Sequence, residues 1–220
     1  MNTDCKRLTL FAGHYGSGKT NVAVNYAFKL AGEGKPVCIA DLDIVNPYFR
    51  TKDSEAELSA LGIRLVSPQY ANTNVDLPAL PAESYRLVQD KSTYGIMDIG
   101  GDDRGAYALG RFADAIKSEN DYRMAFVVNC YRPLTSTVED TVAIMREIEV
   151  ACGLRFTCIV NNSNLGAETD AETVRNSLDF IEQLSKATGL DVWMHTAEES
   201  VAKELTELPA FPLKLQKKKI

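Results

Sequence analysis

The chain has 220 residues, of which 45% are hydrophobic and 25% are charged, and its formal net charge at pH 7 is −6. This composition is ordinary for a globular protein that forms its own core. No apolar run approaches the roughly 20 residues of a membrane span, and the negative charge argues against broad, non-specific binding to nucleic acid. We therefore expect no nucleic-acid partner and no stable association with membranes.

The first residues, MNTDCKRLTLF, pass almost directly into an apolar run and lack the layout of a signal peptide. We therefore expect a cytoplasmic protein. The cysteines form no C-x-x-C pair and fall mostly in or beside apolar runs; they are Cys5, Cys38, Cys130, Cys152 and Cys158. Buried free thiols are the prediction for them, and an iron–sulfur or zinc role within one chain is unsupported.

The strongest motif is the segment Gly13–Thr20, GHYGSGKT, which matches G-x-x-x-x-G-K-[ST] at every fixed position. The apolar run Leu8–Ala12 before it predicts a buried strand. The segment Asn21–Leu30 after it predicts a helix that begins near Lys19. This strand–loop–helix context is the one that a phosphate-binding loop requires.

The residue types of this motif explain how it would bind phosphate. Glycines let successive backbone N–H groups converge on phosphate oxygens, and the helix that follows adds the positive end of its dipole. Lys19 would reach the β- and γ-phosphates, and the hydroxyl of Thr20 would bind Mg²⁺. The predicted nucleotide-binding residues of the loop are Gly13, His14, Tyr15, Gly16, Ser17, Gly18, Lys19 and Thr20. The structural alternative is a glycine-rich turn without a ligand.

The rest of the chain alternates between short apolar runs and helical patterns. The predicted strands are Pro36–Asp41, Ile63–Ser67, Tyr94–Ile99, Met124–Asn129, Phe156–Val160, Val192–His195 and Phe211–Leu215. The predicted helices are Glu55–Leu61, Ala82–Asp90, Ala106–Lys117, Val138–Cys152, Ala171–Thr188 and Glu199–Leu208. Near-continuous apolar strands suit a sheet that is covered on both faces. The alternation predicts a three-layer α/β fold, with a mainly parallel sheet and helices on both faces, and one domain over residues 1–220.

The least regular stretch is Pro68–Pro81, which contains three prolines. Its composition predicts a long loop. Long loops in compact domains are often functional, but a plain surface excursion is an equal alternative.

A second constellation lies at Asp41–Pro47, DLDIVNP, where a predicted strand ends. In open α/β sheets, ligands bind at that edge. Asp41 and Asp43, two residues apart, could serve a magnesium shell and a water. The structural alternative is a pair of solvated turn aspartates.

A third constellation is Tyr94–Gly101, YGIMDIGG, an apolar strand that ends near Asp98. A carboxylate in this position is what a Walker B site requires. Gly100 and Gly101 would let the following backbone approach the γ-phosphate, and Gly101 is a predicted nucleotide contact. The polar segment 102–104 that follows is either a turn or a catalytic element, and both interpretations stay open.

Together with the segment Ile159–Asn162, IVNN, these motifs resemble the MinD/ParA/Mrp group of SIMIBI-class P-loop NTPases, also called the CobQ/CobB/MinD/ParA nucleotide-binding family. The resemblance covers most of the chain, from about Leu8 to Pro212. It implies a mainly parallel sheet, binding of ATP with Mg²⁺, and slow hydrolysis that serves as a conformational switch.

The resemblance also implies roles for single residues. Thr20 would ligate Mg²⁺, and Asp41 and Asp98 would hold the metal through waters. Asp43 would orient the attacking water, so Asp43 and Lys19 form the predicted catalytic pair.

Asn161 resembles the asparagine that contacts adenine in this family. An amide offers both a donor and an acceptor to the adenine edge, although Asn162 and Asn164 are rivals and a turn or capping role is the structural alternative. No N-K-x-D or T-K-x-D guanine signature follows any predicted strand. This favours ATP over GTP.

The sequence departs from the family at the start of the loop. Many members carry K-G-G there, and the first lysine crosses a dimer to touch the partner's phosphates, whereas this chain has His14 and Tyr15. Histidine is shorter than lysine and lacks its permanent charge. A homodimer, and its dependence on ATP, therefore stay open.

Three kinds of function fit these observations. The first is a slow ATPase that acts as a switch on an unknown protein partner, such as an enzyme that needs maturation, metal or cofactor delivery, or activation. The second is an ATP-dependent small-molecule ligase of the dethiobiotin synthetase or CobB kind, and the third is a nucleotide-binding scaffold that hydrolyses nothing. The sequence shows no recognisable second substrate site, which favours the switch.

Overall fold

A sheet of eight parallel strands forms the centre of the part of the chain that the computed structural model describes, which comprises residues 5–43, 51–67, 82–101 and 103–215. The strands are β1 (Leu8–Ala12), β2 (Val37–Leu42), β3 (Arg64–Val66), β4 (Tyr94–Ile99), β5 (Tyr122–Val128), β6 (Cys158–Asn161), β7 (Val192–Glu198) and β8 (Ala210–Leu213). Their spatial order is β3-β2-β4-β1-β5-β6-β7-β8. Neighbouring strands are parallel throughout this order.

Helices connect the strands and cover the sheet. Within the described ranges they are α1 (Lys19–Gly32), α2 (Glu55–Ala60), α3 (Ala82–Gln89), α4 (Asp103–Gly110), α5 (Ala113–Glu119), α6 (Val138–Cys152), α7 (Ala171–Asn176), α8 (Leu178–Thr188) and α9 (Glu199–Glu204). Short 3₁₀ turns lie at Thr51–Ser54, Pro133–Thr135 and Gly166–Glu168.

The core lies on both sides of the sheet, as the side chains of β1 show. Leu8, Leu10 and Ala12 belong to a buried cluster with α4, α5, α6 and α8. Phe11 belongs to a second cluster with α1. Because successive strand residues point to opposite faces, a strand that is apolar throughout needs helices on both sides. The predicted α/β fold, a parallel sheet with helices on both faces, is confirmed.

Strand β1 lies in the middle of the sheet, and the later strands are added on both sides of it. The chain first fills one side of β1 with β2, β3 and β4, and it then crosses to the other side with β5 to β8. Open α/β sheets bind ligands outside the carboxyl ends of their strands at such a switch point. The loop after β1 lies at this point.

Several predicted bounds agree with the structure: Leu8–Ala12, Tyr94–Ile99 and Val138–Cys152 are as predicted. The single predicted helix Ala106–Lys117 is wrong. The chain turns between α4 and α5, and Phe112 packs against Tyr85 with ring centroids 4.8 Å apart. The helix is interrupted for two residues at this turn, and the turn buries the aromatic ring of Phe112.

Two other predicted helices also differ. The predicted helix Ala171–Thr188 is divided at Ser177, whose hydroxyl donates to the carbonyl of Val174 at 2.7 Å. Such local side-chain bonds compete with regular helix. The predicted helix Glu199–Leu208 ends at Glu204. Strand β7 runs to Glu198 instead of His195, because it pairs with β8 over its second half.

The five cysteines are free thiols. Cys38, Cys152 and Cys158 are buried as predicted, whereas Cys5 and Cys130 are half-buried. Burial raises the pKa of the Cys158 thiol to about 11, so this sulfur is protonated and unreactive at neutral pH.

Some predictions fall on parts of the chain that the structure does not describe. The predicted loop Pro68–Pro81, the residues Asn46 and Pro47 of the second constellation, and Asp102 lie outside the described residues. Across the ranges that are described, no helix combines the length and the apolar character needed to cross a membrane.

Candidate nucleotide-binding site

The loop between β1 and α1 is shaped by glycines with positive φ angles. Gly13 has φ 154° and Gly18 has φ 84°. A Cβ on Gly13 would collide with the carbonyl oxygen of Val127 in β5. Gly18, in the left-handed conformation, is the residue from which α1 begins. Since glycine takes such conformations without strain, the loop turns tightly at the carboxyl end of β1, as a phosphate-binding loop must.

Lys19 and Thr20 form the first turn of α1, which has 14 residues. Both side chains are buried. The Nζ of Lys19 donates to the carbonyl oxygen of His14 at 3.3 Å, so the ammonium group lies against the loop. No acidic residue stands in the first turn of α1. The positive end of the helix dipole and the lysine charge therefore reinforce each other at this place.

Three aspartates reach the same edge of the sheet from two neighbouring strands. Asp41 of β2 lies level with Asp98 of β4 in the parallel register, and Asp43 follows β2 directly. All three are buried, and the N–H of Asp43 donates to Oδ1 of Asp41 at 3.0 Å. Because β4 also pairs with β1, the structure brings these aspartates to the edge that carries the loop.

Asp98 is the most deeply buried of these carboxylates, with 0% of its surface exposed. Its Oδ2 accepts a hydrogen bond from Oγ1 of Thr51 at 3.0 Å, whereas its Oδ1 has no hydrogen-bond partner within the described residues. Burial raises the pKa of Asp98 to about 6, although the Thr20 hydroxyl and the Lys19 ammonium oppose the shift. A buried oxygen without a partner is costly, so this position suits a water molecule or a cation.

The residues present fit the predicted Mg²⁺. This ion takes oxygen ligands and keeps several waters. Thr20 offers a hydroxyl, and Asp98 and Asp41 offer carboxylate oxygens from adjacent strands. Within the described ranges, no three histidine, cysteine, aspartate or glutamate side chains come together as a complete metal site.

The segment after β4 meets the loop between β1 and α1 at Gly101. A Cβ on Gly101 would lie 2.6 Å from the backbone nitrogen of Tyr15 and 2.9 Å from Nζ of Lys19. Only glycine fits at such a distance from backbone and cation. The structure therefore places the backbone that follows Asp98 beside the loop, while the contact of Gly101 with a γ-phosphate stays a prediction.

The outer rim of the loop carries three side chains. Nδ1 of His14 lies 2.9 Å from the carbonyl oxygen of Tyr15, and Tyr15 is exposed. The guanidinium of Arg132 donates from Nε to the carbonyl oxygen of Gly16 at 3.1 Å. No sequence motif identifies Arg132. Its position after β5, the strand next to β1, is the one feature of the sequence that could have predicted it at this site.

Two further contacts at the site join residues that are far apart in the sequence. Thr51 binds Asp98 across 47 positions of the sequence. Asn162 donates from Nδ2 to the carbonyl oxygen of Ser17, at 2.6 Å, across 145 positions. No local pattern encodes contacts of this range, so the sequence alone does not predict them.

Asn161 ends β6 with 1% of its surface exposed. Its Nδ2 donates to Oγ of Ser177 at 2.9 Å and lies 3.1 Å from Nδ1 of His195. Its Oδ1 accepts a hydrogen bond from the N–H of Ser163 at 3.1 Å. The amide that we expect to contact adenine is thus engaged inside the protein. A base contact would require these bonds to be exchanged, and it stays a prediction.

The features described above define a class of fold. A parallel sheet with a glycine-rich loop between its central strand and a helix, and with a buried carboxylate on the adjacent strand, is the α/β P-loop NTPase-like fold. No protein-family model and no curated protein sequence matches the chain. Solved structures do match it, and they have this fold.

Two FtsY proteins and one signal recognition particle protein are among the matching structures. FtsY from Thermotoga maritima is 15% identical, with a TM-score of 0.59 over 87% of this chain and 62% of that one. Chloroplast FtsY from Physcomitrella patens is 17% identical, with a TM-score of 0.57 over 88% of this chain and 59% of that one. The 54 kDa signal recognition particle protein from Aeropyrum pernix, solved in complex with GDP, is 14% identical, with a TM-score of 0.56 over 89% of this chain and 42% of that one.

The chain spans less than two thirds of each of these structures, between 42% and 62% of their length. At this level of identity the similarity shows a shared fold. A proposal for the function therefore has to rest on the arrangement of Gly13–Thr20, Asp41 and Asp98.

Proposed function

We propose that the chain is a Mg²⁺-dependent P-loop NTPase, slow on its own, that uses its bound nucleotide as a switch for a protein partner. The observation that carries the proposal is the buried Oδ1 of Asp98, which has no hydrogen-bond partner among the described residues. It lies at the same edge of the sheet as Lys19 and Thr20 in the first turn of α1. In this proposal, a cation at Asp98 lies beside a phosphate group at the loop. A magnesium nucleotide requires this combination.

Each part of the site has a role in this proposal. The loop N–H groups and Lys19 bind the phosphates, and Lys19 exchanges its bond to the loop carbonyl for phosphate oxygens. Thr20, Asp41 and Asp98 hold Mg²⁺, which when bound neutralises phosphate charge. Asp43 orients the attacking water, since it is the carboxylate that follows β2 at the open edge of the sheet.

We propose ATP as the nucleotide. The absence of an N-K-x-D or T-K-x-D segment after any strand supports this choice. The fold itself does not discriminate, because a structure with the same fold holds GDP. GTP is therefore the competing outcome of the test.

The contact at Gly101 supports the switch. Gly101 lies against Tyr15 and Lys19, and α4, which carries the exposed Tyr107, begins two residues later. A phosphate that draws Lys19 toward itself changes the space available to Gly101, and α4 transmits that change to the surface. The partner that reads it is a protein, and a second copy of this chain is one form of that partner.

Isothermal titration calorimetry with ATP and GTP, each with Mg²⁺ or with EDTA, tests the nucleotide assignment. We expect Mg·ATP to bind at least about tenfold more tightly than Mg·GTP, a difference of about 1.4 kcal/mol. EDTA should weaken binding of the triphosphate. Tighter binding of GTP would overturn the choice of ATP, and no binding of either nucleotide would overturn the proposal.

Lys19→Ala is expected to weaken Mg·ATP binding by about tenfold to hundredfold, because it removes a charged hydrogen bond worth roughly 1.5–3 kcal/mol. Lys29→Ala is the matched control. Lys29 lies on the same helix but is more exposed and pairs with Glu33 at the far end, so this variant should bind as the wild type does. Equal affinity of the wild type and Lys19→Ala would show that Lys19 and its loop do not bind the nucleotide.

A further inference from the structure

Behind the phosphate-binding loop, two buried polar side chains form a relay from the sheet to the loop. Oγ1 of Thr196 in β7 donates to Oδ1 of Asn162 at 2.6 Å. Nδ2 of Asn162 then donates to the carbonyl oxygen of Ser17 at 2.6 Å. Asn162 is 4% exposed and Thr196 2% exposed. Because the hydroxyl occupies Oδ1, the Asn162 amide is fixed with its donor toward the loop.

The loop carbonyl that Asn162 holds belongs to the peptide between Ser17 and Gly18. In a planar trans peptide, the C=O and the following N–H point in opposite directions. A bond that fixes the Ser17 carbonyl toward Asn162 therefore aims the N–H of Gly18 away from Asn162. This N–H directly precedes the first turn of α1, where helix N–H groups have no partner within the helix and face an anion.

The fit around this peptide is close. A Cβ on Gly18 would collide with Nδ2 of Asn162. The asparagine amide therefore lies directly against Gly18 while it holds the Ser17 carbonyl. Loss of the amide would remove both the hydrogen bond and this contact.

We infer that Asn162, oriented by Thr196, is a positioning residue that sets the Ser17–Gly18 peptide for phosphate binding. This inference rests on the proposed function. Asn162 does not touch the nucleotide in this role. It acts through the loop, and it costs no rearrangement when phosphate arrives because the relay is already formed.

Mg·ATP and Mg·ADP affinities of a set of variants, each with its thermal midpoint, test the inference. Asn162→Ala should weaken binding of both nucleotides by roughly tenfold, the effect of one well-placed hydrogen bond. Thr196→Val keeps the shape but removes the hydroxyl, and it should weaken binding several-fold. Thr196→Ser keeps the hydroxyl and should restore nearly the wild-type affinity, which a role in packing alone does not predict.

Coupling between the two residues is a second readout. If Thr196 acts through Asn162, the double variant Asn162→Ala/Thr196→Val should bind no more weakly than Asn162→Ala alone. Independent, additive losses would overturn the relay.

Asn25→Ala is the matched control. Asn25 is a buried asparagine that also donates from Nδ2 to a backbone carbonyl, that of Lys214 at 3.0 Å. Its truncation should lower the thermal midpoint and leave nucleotide affinity unchanged. Wild-type affinity in Asn162→Ala, or an equal loss in Asn25→Ala, would overturn the inference while the proposed function stands. A wild-type protein that binds neither ATP nor GTP overturns the proposed function first.

Discussion

Asp43→Ala is expected to lower the rate of nucleotide hydrolysis by about hundredfold or more, the usual effect of losing a group that handles the reacting water. Affinity for Mg·ATP should change by less than about threefold, because in its proposed role the residue acts on water and not on the nucleotide. Asp43 is buried just beyond the end of β2, and its N–H is held by Asp41. Single-turnover hydrolysis, with affinity measured separately, distinguishes the two effects.

The choice of substitution and control sharpens this test. Asp43→Asn keeps the size of the side chain but loses its charge, so it should lose hydrolysis nearly as fully as Asp43→Ala. Asp191→Asn is the matched control, since Asp191 is an exposed aspartate that precedes β7 at the opposite edge of the sheet. Hydrolysis at the wild-type rate in Asp43→Ala would move the assignment to another group.

The sequence predicts those parts of the fold that local patterns determine. β1 and β4 are short apolar runs with abrupt ends, and α6 is bounded by signals at both ends. Thr137 caps its first turn by accepting from the N–H of Asp140, and Gly153 ends it in the left-handed conformation. Such signals lie within a few residues of the boundary that they set, so the bounds were predictable.

The break between α4 and α5 was not predictable, because the contact that causes it lies far away in the sequence. The residues from 106 to 117 are compatible with one helix, and the break at Phe112 follows from the position of Tyr85 on α3. Tertiary packing overrides helix propensity when a large ring gains burial by doing so. Nothing within the segment states where that partner lies.

The candidate site likewise has one part that the local sequence predicts and another that it does not. Gly13–Thr20 is a local motif, and its glycine conformations follow from its own residues. The two adjacent asparagines, Asn161 and Asn162, show what the sequence leaves open. Successive residues point to opposite faces at the end of a strand, so one amide faces Ser177 and the other faces Ser17. A shift of one residue would exchange these roles, and only the three-dimensional register decides between them.

Arg7 stabilises the edge of the sheet opposite the candidate site. Its guanidinium donates to the carbonyl oxygens of Leu87, Val88, Asp90 and Thr93, at 2.9 to 3.1 Å. It also forms a buried ion pair with Glu119, the last residue of α5. One side chain thus holds the end of α3 and the turn into β4 against α5. Arginine suits this position because its planar group offers five donors in a fixed geometry.

Arg7→Met is expected to lower the free energy of unfolding by about 3–5 kcal/mol, because it removes the donor of several carbonyl groups and leaves the Glu119 carboxylate with only the exposed Lys91. Arg7→Lys should recover little of this loss, since an ammonium cannot reach the same set of acceptors. Urea unfolding followed by circular dichroism measures both. Arg175→Met is the matched control: its ion pair with Glu207 is exposed, and its loss should cost less than about 1 kcal/mol.

The pH dependence of the Arg7→Met effect identifies Glu119 as the partner. Burial tends to raise the pKa of Glu119, but Arg7 and Lys91 outweigh it and hold that pKa below its ordinary value of 4.5. A carboxylate with a lowered folded-state pKa contributes stability above its unfolded-state pKa and loses it as the pH falls through the folded-state value.

The wild type should therefore lose this contribution in acid, while Arg7→Met, whose Glu119 keeps only the exposed Lys91, has less to lose. We expect the difference in unfolding free energy between them to be constant above pH 6 and to narrow below about pH 4.5. A difference that stays constant into acid would show that the backbone carbonyls alone account for the effect of Arg7.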